Sequence, residues 1–337
     1  MNSHMKGYRN MSLNRAYTFF LIAVGALLAP SPGTAQTTDA QYTQLLQDAA
    51  TKAEDGREAL AMLTALLSRS DASDTAVDAL RELVLAATPE DAVLLRYTLS
   101  NDGALVRDTD RAGTLLAALN AQDPGNANND LAALALTPAD ASGSEVDARL
   151  QAMAAASHYA SDFSAIVQAA QRVLSRVSWP ADVTAQAQKE SGTSAAMVVA
   201  VSIAAAIAAP DFSRLVTACD HEKFASRADA CRTIARRMLG DASTMVDQIV
   251  AAAVFNAAAN DAASKAEAIK VQRQVQWQSE QANRLIAAPP GANASPARVR
   301  YSQSVLERGE LSAIQELFAE NEVALQPPGD WQPPAAQ

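Results

Sequence analysis

Seventy-six of the 337 residues are alanine, about 23% of the chain, while Phe, Trp and Tyr together make up only 5%. Alanine has the best intrinsic helix propensity because it loses no rotamer freedom and buries no polar side-chain group. With only 13 glycines, the chain lacks the β-branched runs and glycine-rich turns of a sandwich or barrel. It also lacks the composition of collagen, of a disulfide-dense mini-protein and of a disordered chain. The sequence therefore predicts an all-α fold of stacked antiparallel helices, an irregular α-solenoid or helical-hairpin array, with one long helix in the C-terminal half. Alanine brings little apolar area per residue, so such a core needs many helix–helix contacts.

Residues 1–35 read as a secretory signal peptide. Lys6, Arg9 and Arg15 give a basic start and residues 16–28 a mostly apolar run; Pro30, Pro32, Gly33 and Ala35 follow, with cleavage expected after Ala35. The run of 13 residues falls short of the roughly 20 that span a bilayer, so no stable membrane insertion is expected after cleavage. Met1, Met5 and Met11 remain alternative starts. The expected location is periplasmic or secreted. Removing three basic and no acidic residues leaves 24 basic against 37 acidic side chains, a net charge near −13. That balance disfavours nucleic acid and anionic lipid as partners and leaves a protein partner or self-association.

The chain has two cysteines, Cys219 and Cys231. In an exported chain a close pair is expected to form a disulfide. There is no C-x-x-C motif, and the mature chain offers only His158 and His221 as imidazole ligands, so neither a metal site nor a cofactor is expected. Cys231, Ile234, Ala235 and Met238 share one helical stripe, which places Cys231 on a buried face and Arg232 and Arg236 on the other. Cys219 ends the preceding helix, which begins at Pro210; the bond would staple two consecutive helices. Gly240 is expected to stop the second, with Asp241 or Ser243 capping the next.

Proline and cap residues divide the rest into helices of ordinary length joined by short loops. Residues 42–46, 59–67 and 76–87 are apolar-periodic, the last with Leu80, Leu83 and Val84 on one face. Thr88-Pro89, Thr137-Pro138 and Ser295-Pro296 read as helix starts, a hydroxyl cap followed by proline at the first helical position; Trp179-Pro180 marks another boundary. Residues 195–209 are almost wholly apolar but too short and alanine-rich to span a membrane, and read as a helix buried on all sides. Residues 243–286 would extend roughly 65 Å as one helix, and their continuity past Asn260 is open. Pro289-Pro290-Gly291 ends that helix. Pro327-Pro328 and Pro333-Pro334 flank Trp331 in an extended tail. The expected organisation is a leader at 1–35, a helical-repeat-like region at 36–190, a helical region with the disulfide and long helix at 191–325, and a proline-rich tail at 326–337.

Leu115-Leu116-Ala117-Ala118-Leu119, Asp123-Pro124-Gly125-Asn126-Ala127 and Leu131-Ala132-Ala133-Leu134-Ala135 follow one another in a pattern that resembles the junction between units of tetratricopeptide-like helical proteins. Proline cannot continue the first helix, and Asp and Asn side chains cap free backbone donors. The aromatic signature positions and a regular period of about 34 residues are absent, so the resemblance implies a degenerate helical repeat. The later segment resembles exported helical proteins of unknown function from proteobacteria, which implies no activity.

Glu190-Ser191-Gly192 is similar to the Glu-Ser dipeptide of lytic transglycosylases, which implies a glutamate acting as general acid on a glycosidic oxygen. An alanine-rich helix stands where that family carries Gly-Leu-Met-Gln. His158 and His221 are lone imidazoles. No G-x-S-x-G, Walker-type loop, H-E-x-x-H or dinucleotide fingerprint appears. Binding candidates are the basic group Arg232, Arg236 and Arg237, the Gln-rich stretch around Trp277, and Trp331, which either straps the tail to the body or presents a peptide to a partner. The favoured function is a non-enzymatic, exported helical-repeat protein that binds or scaffolds other proteins of the cell envelope. The alternative is an envelope glycan hydrolase using Glu190 as general acid.

Overall fold

The computed structural model describes residues 39–69, 71–101, 109–137, 143–207, 212–287 and 294–333. The signal peptide, Pro138, Pro210 and the Pro289-Pro290-Gly291 stop lie outside them. Helices are the only extended regular structure among the described residues, with one isolated parallel bridge between Asn126 and His158. In order the helices are α1 Asp39–Ala50, α2 Gly56–Leu67, α3 Asp74–Ala87, α4 Ala92–Asn101, α5 Thr109–Gln122, α6 Ala127–Leu136, α7 Gly143–Ala155, α8 Phe163–Leu174, α9 Ala181–Ser191, α10 Ala195–Ile207, α11 Phe212–Ala218, α12 Ala228–Asp241, α13 Met245–Ala258, α14 Ala262–Ile286, α15 Pro296–Arg308 and α16 Glu310–Glu320.

Four apolar cores join them. The first lies among α1, α2, α3, α8 and α10, with Leu46, Leu60, Leu66 and Ala200 fully inside. Alanines at the contact of α8 with α10, such as Ala170 and Ala204, let two backbones approach closely. The boundary placed at 190/191 falls inside this core, because α8 and α10 lie on either side of it. The second core gathers α6, α7, α11, α12 and α13 around Phe255 and the two cysteines. Leu95, Leu99, Leu116 and Leu119 build the third from α4, α5 and α6, and the fourth packs α13 and α14 against Ile314 and Phe318 of α16.

Several local expectations are corrected. Residues 243–286 form two helices, not one. Asn260 lies in the break, and Asp261 restarts the chain: its carboxylate accepts from the Ser264 N–H while the Ser264 hydroxyl accepts from the Asp261 N–H. This reciprocal capping satisfies donors that a continuous helix would pair internally. The two halves fold back so that Met245 and Ala252 meet Val275 and Ala282. The longest described helix is therefore α14, with 25 residues. Gly240 does not stop α12, which runs to Asp241, and the cap of α13 is Thr244, whose side chain accepts from the Asp247 N–H. Thr88-Pro89-Glu90 forms a 3-10 turn, and Asp91 caps α4 through the N–H groups of Val93 and Leu94. Leu83 is 42% exposed because only Val77, Leu80 and Val84 of α3 face the core.

Other expectations hold. Ser295 caps α15 with Pro296 at its first position. The 115–135 segment is a helix, a turn and a helix, with Asn126 accepting from the Asn128 N–H. Nine residues of α10 are buried. The segment 195–218 is apolar enough to cross a membrane by length and composition, but 71% of its most apolar window is buried inside the protein. Residues 208–211 of that segment lie outside the described part.

Cys219 and Cys231 are bonded and fully buried, with Cα atoms 5.7 Å apart. The bond joins the end of α11 to the buried stripe of α12, where Ile234, Ala235 and Met238 also lie fully inside. Replacing both cysteines by alanine is expected to lower stability by about 3 kcal/mol through the freed unfolded chain. A denaturant titration with a lower midpoint would show this; an unchanged midpoint contradicts it.

Candidate functional site

The side chains singled out for chemistry occupy separate places. Glu190, in the last turn of α9, accepts a hydrogen bond from Gln186 at 3.2 Å and shares its field with Arg298 of α15. Gly192 ends this helix at φ +68°, and a Cβ there would stand 2.3 Å from the Val299 side chain. Close approach of α15 to this turn thus requires glycine. His158 lies 3.4 Å from Asp123, and the His221 ring faces the Ala257 carbonyl at 2.8 Å. Neither histidine is brought to Glu190. No group of three His, Cys, Asp or Glu able to hold a metal occurs among the described residues.

The members of the basic group are largely paired within the chain, with Arg236 exposed and Arg232 and Arg237 half-buried. Arg232 donates to the Ala258 carbonyl and to the Asn260 side chain at 2.7 Å and pairs with Asp229. Arg236 pairs with Glu267 of α14 at 2.9 Å and lies over the Phe255 ring. That pairing raises the Arg236 pKa and lowers that of Glu267. Arg237 is half-buried with its Nε lacking a partner. Trp277 and Trp331 meet edge to face, ring centroids 5.5 Å apart. The Trp277 indole N–H donates to the Ala324 carbonyl at 2.7 Å. The tail is therefore strapped to α14, and it is not extended as expected but turns at Pro328, whose carbonyl accepts from the Trp331 N–H at 3.1 Å.

Three polar clusters had no signal in the sequence pattern. In the first, Glu58 at the start of α2 is 1% exposed and receives Arg172 and Arg176 from the other end of α8. Burial raises its pKa, but the arginine bonds and the Glu54 N–H outweigh that and hold it below the ordinary value. In the second, the Arg96 side chain is 8% exposed and makes a two-pronged bond to Asp162, at 2.6 and 2.8 Å. It also reaches Asp123 at 2.9 Å and Asn129 at 2.8 Å. Burial pushes Asp162 up despite this pairing, while Asp123, helped by Asn126 and Arg96, is held down against its own burial.

The third cluster surrounds the start of α13. Asp247 accepts from the Tyr159 hydroxyl at 2.9 Å, from Ser161 and from the Thr244 N–H. Burial drives the Tyr159 pKa well up, and Asp247 adds to it. Next to this carboxylate, Glu310 accepts from the Met245 N–H at 2.9 Å and from Tyr301. Burial pushes Glu310 up to about 7; the two donors oppose this and the Asp247 charge reinforces it. Sequence reading passed over these residues because the partners that join them across the fold lie 27 to 118 positions away.

No protein-family model matches the chain, and no curated protein or solved structure matches it either.

Two outcomes are expected. Arg96→Met leaves Asp123 and Asp162 without their counter-charge and costs about 3–5 kcal/mol in a denaturant titration. A loss under 1 kcal/mol contradicts the pairing. A carboxyl whose pKa is higher folded than unfolded stabilises the fold fully below its unfolded value, here 4.5, and loses that contribution as pH rises through about 7. Glu310→Gln keeps an acceptor for Met245 but cannot ionise. The stability of the wild type relative to this variant should fall across that window by about 3 kcal/mol. A difference that does not change with pH contradicts the assignment.

Proposed function

We propose that this chain is an exported, non-enzymatic helical protein of the cell envelope that binds or scaffolds other proteins. Its helical hairpins are read as an irregular solenoid, degenerate from a tetratricopeptide-like repeat, with a lateral surface able to hold a partner. The observation that carries this reading is the dispersal of the reactive side chains. Glu190, His158 and His221 each engage a different part of the chain, with Gln186, Asp123 and the Ala257 carbonyl respectively. Acid–base chemistry needs groups that converge on one reacting atom. The disulfide between Cys219 and Cys231 is compatible with an oxidising, extracytoplasmic location.

The test is affinity capture from envelope extracts with the purified, oxidised protein, followed by reconstitution with each captured protein. At least one direct partner is expected. A strictly monomeric chain with no reconstituted partner overturns the reading. Glu190→Gln is expected to leave partner binding unchanged, and neither wild type nor variant is expected to digest cell-wall glycan. Wall digestion abolished by this substitution would establish the hydrolase instead.

A further inference from the structure

The tail meets α14 through a set of donors that all address backbone. Arg273 donates to the carbonyls of Pro328, Gly329 and Trp331, at 3.2, 3.2 and 2.6 Å. One turn further on, the indole N–H of Trp277 reaches the Ala324 carbonyl, and the Gln278 amide donates to that of Leu325 at 3.1 Å. Five carbonyls between 324 and 331 are thus held by guanidinium, indole and amide N–H groups of one helix face. The Trp331 N–H turns back to the Pro328 carbonyl at 3.1 Å, which brings three carbonyls to one guanidinium nitrogen; proline has no N–H, so a proline-rich turn presents acceptors with few donors. A face built of donors is its chemical complement. The side-chain element is a single aromatic contact, Trp331 against Trp277.

The tail holds this face lightly. Ala324, Leu325, Gln326, Pro328, Gly329 and Asp330 are exposed, and Trp331 is only half-buried. Arg273 Nε is buried without an acceptor, so the tail leaves one donor of the face unused. Because the recognised atoms are carbonyls, any chain of the same backbone character with a suitably placed aromatic ring satisfies the same donors. The tail is tethered at the end of α16, which gives it an effective concentration on the order of millimolar over a free competitor.

We propose that the Arg273–Trp277–Gln278 face of α14 is a docking site for a proline-rich, tryptophan-bearing turn segment of a partner protein, occupied in the isolated chain by its own tail. This rests on the binding-protein reading above and gives that reading a site and a partner chemistry. Partner binding then releases the tail, so the strap tunes affinity without contributing to the fold's cores.

The probe is a labelled synthetic peptide with the sequence of residues 322–337, titrated into the full chain. It should bind Trp331→Ala at least tenfold more tightly than wild type, because that substitution frees the face without altering it. Adding Arg273→Met to Trp331→Ala should weaken peptide binding at least tenfold. Adding Trp277→Phe instead, which keeps the ring and deletes the N–H, should weaken it measurably with an unchanged melting temperature. A peptide carrying alanine for its tryptophan should not bind. Equal affinity for wild type and Trp331→Ala, or binding indifferent to both Arg273→Met and Trp277→Phe, overturns the site. A wild-type chain that dimerises by exchanging tails, and is dispersed by the peptide, overturns the foreign partner in favour of a second copy. Capture of envelope partners without peptide binding overturns the site and leaves the binding-protein reading standing; peptide binding with no envelope partner supports the site and overturns that reading.

Discussion

One buried guanidinium fixes the order of the structure. Arg96 joins α4 to the turn after α5 through Asp123, to α6 through Asn129 and to the segment before α8 through Asp162. A charge this far from water is tolerable only when paired and fully hydrogen-bonded. Two carboxylates share its single positive charge, and Asp123 finds a further donor in Asn126 and lies 3.4 Å from the His158 ring. The segment it pins carries Tyr159 and Ser161 to Asp247, and the neighbouring Met245 N–H binds Glu310 at the start of α16. A relay of polar contacts therefore runs from α4 to α16 through regions belonging to three of the four cores. Alanine-rich faces are smooth, and sliding one over another loses little area. Sliding past the relay leaves a buried donor or acceptor unpaired, which costs about 1–3 kcal/mol per group. The apolar cores supply the drive to collapse, and the relay selects the register.

Legibility in the sequence follows the range of the interaction. The all-α class came from composition, and the stripe of Cys231, Ile234, Ala235 and Met238 from spacing within one helix. The cap at Ser295-Pro296 and the turn at Asp123-Pro124-Gly125 are equally local. The division of residues 243–286 was ambiguous for the same reason: Asp261 and Ser264 form a weak cap signal, and alanines on both sides favour continuing the helix. Leu83 was misplaced because α3 lies at an edge and buries a narrower stripe than its apolar content suggests. Arg96, Asp162 and Glu310 had no local signal at all, since each acquires meaning only from partners brought together by the fold, whereas Asp247 is also the local capping partner of Thr244.

In an acidic chain, Arg232, Arg236 and Arg237 read either as a basic patch for an acidic partner or as a solvated helix face. Folding gives Arg236 to Glu267 and Arg232 to Ala258, Asn260 and Asp229. An excess of carboxylates gives most arginines a partner within the chain, and the buried ones, such as Arg96, lie where several acceptors converge. Arg273 obeys the same rule with carbonyls as acceptors, which is why the tail's docking face and the structural pairs share one chemistry.

The disulfide acts beyond the two helices it links. The turn it closes places His221, whose backbone N–H and ring both face the Ala257 carbonyl at the end of α13. Arg232, the neighbour of Cys231, donates to the next carbonyl, that of Ala258. Carbonyls in the last turn of a helix have no internal partner; here residues beside each cysteine supply one. The break between α13 and α14 is thus capped from outside by the stapled turn and from inside by Asp261 and Ser264. The turn closed by the oxidised bond therefore adds two contacts to a break that Asp261 and Ser264 already cap, while the hairpin itself is held by the packing of Met245 and Ala252 with Val275 and Ala282.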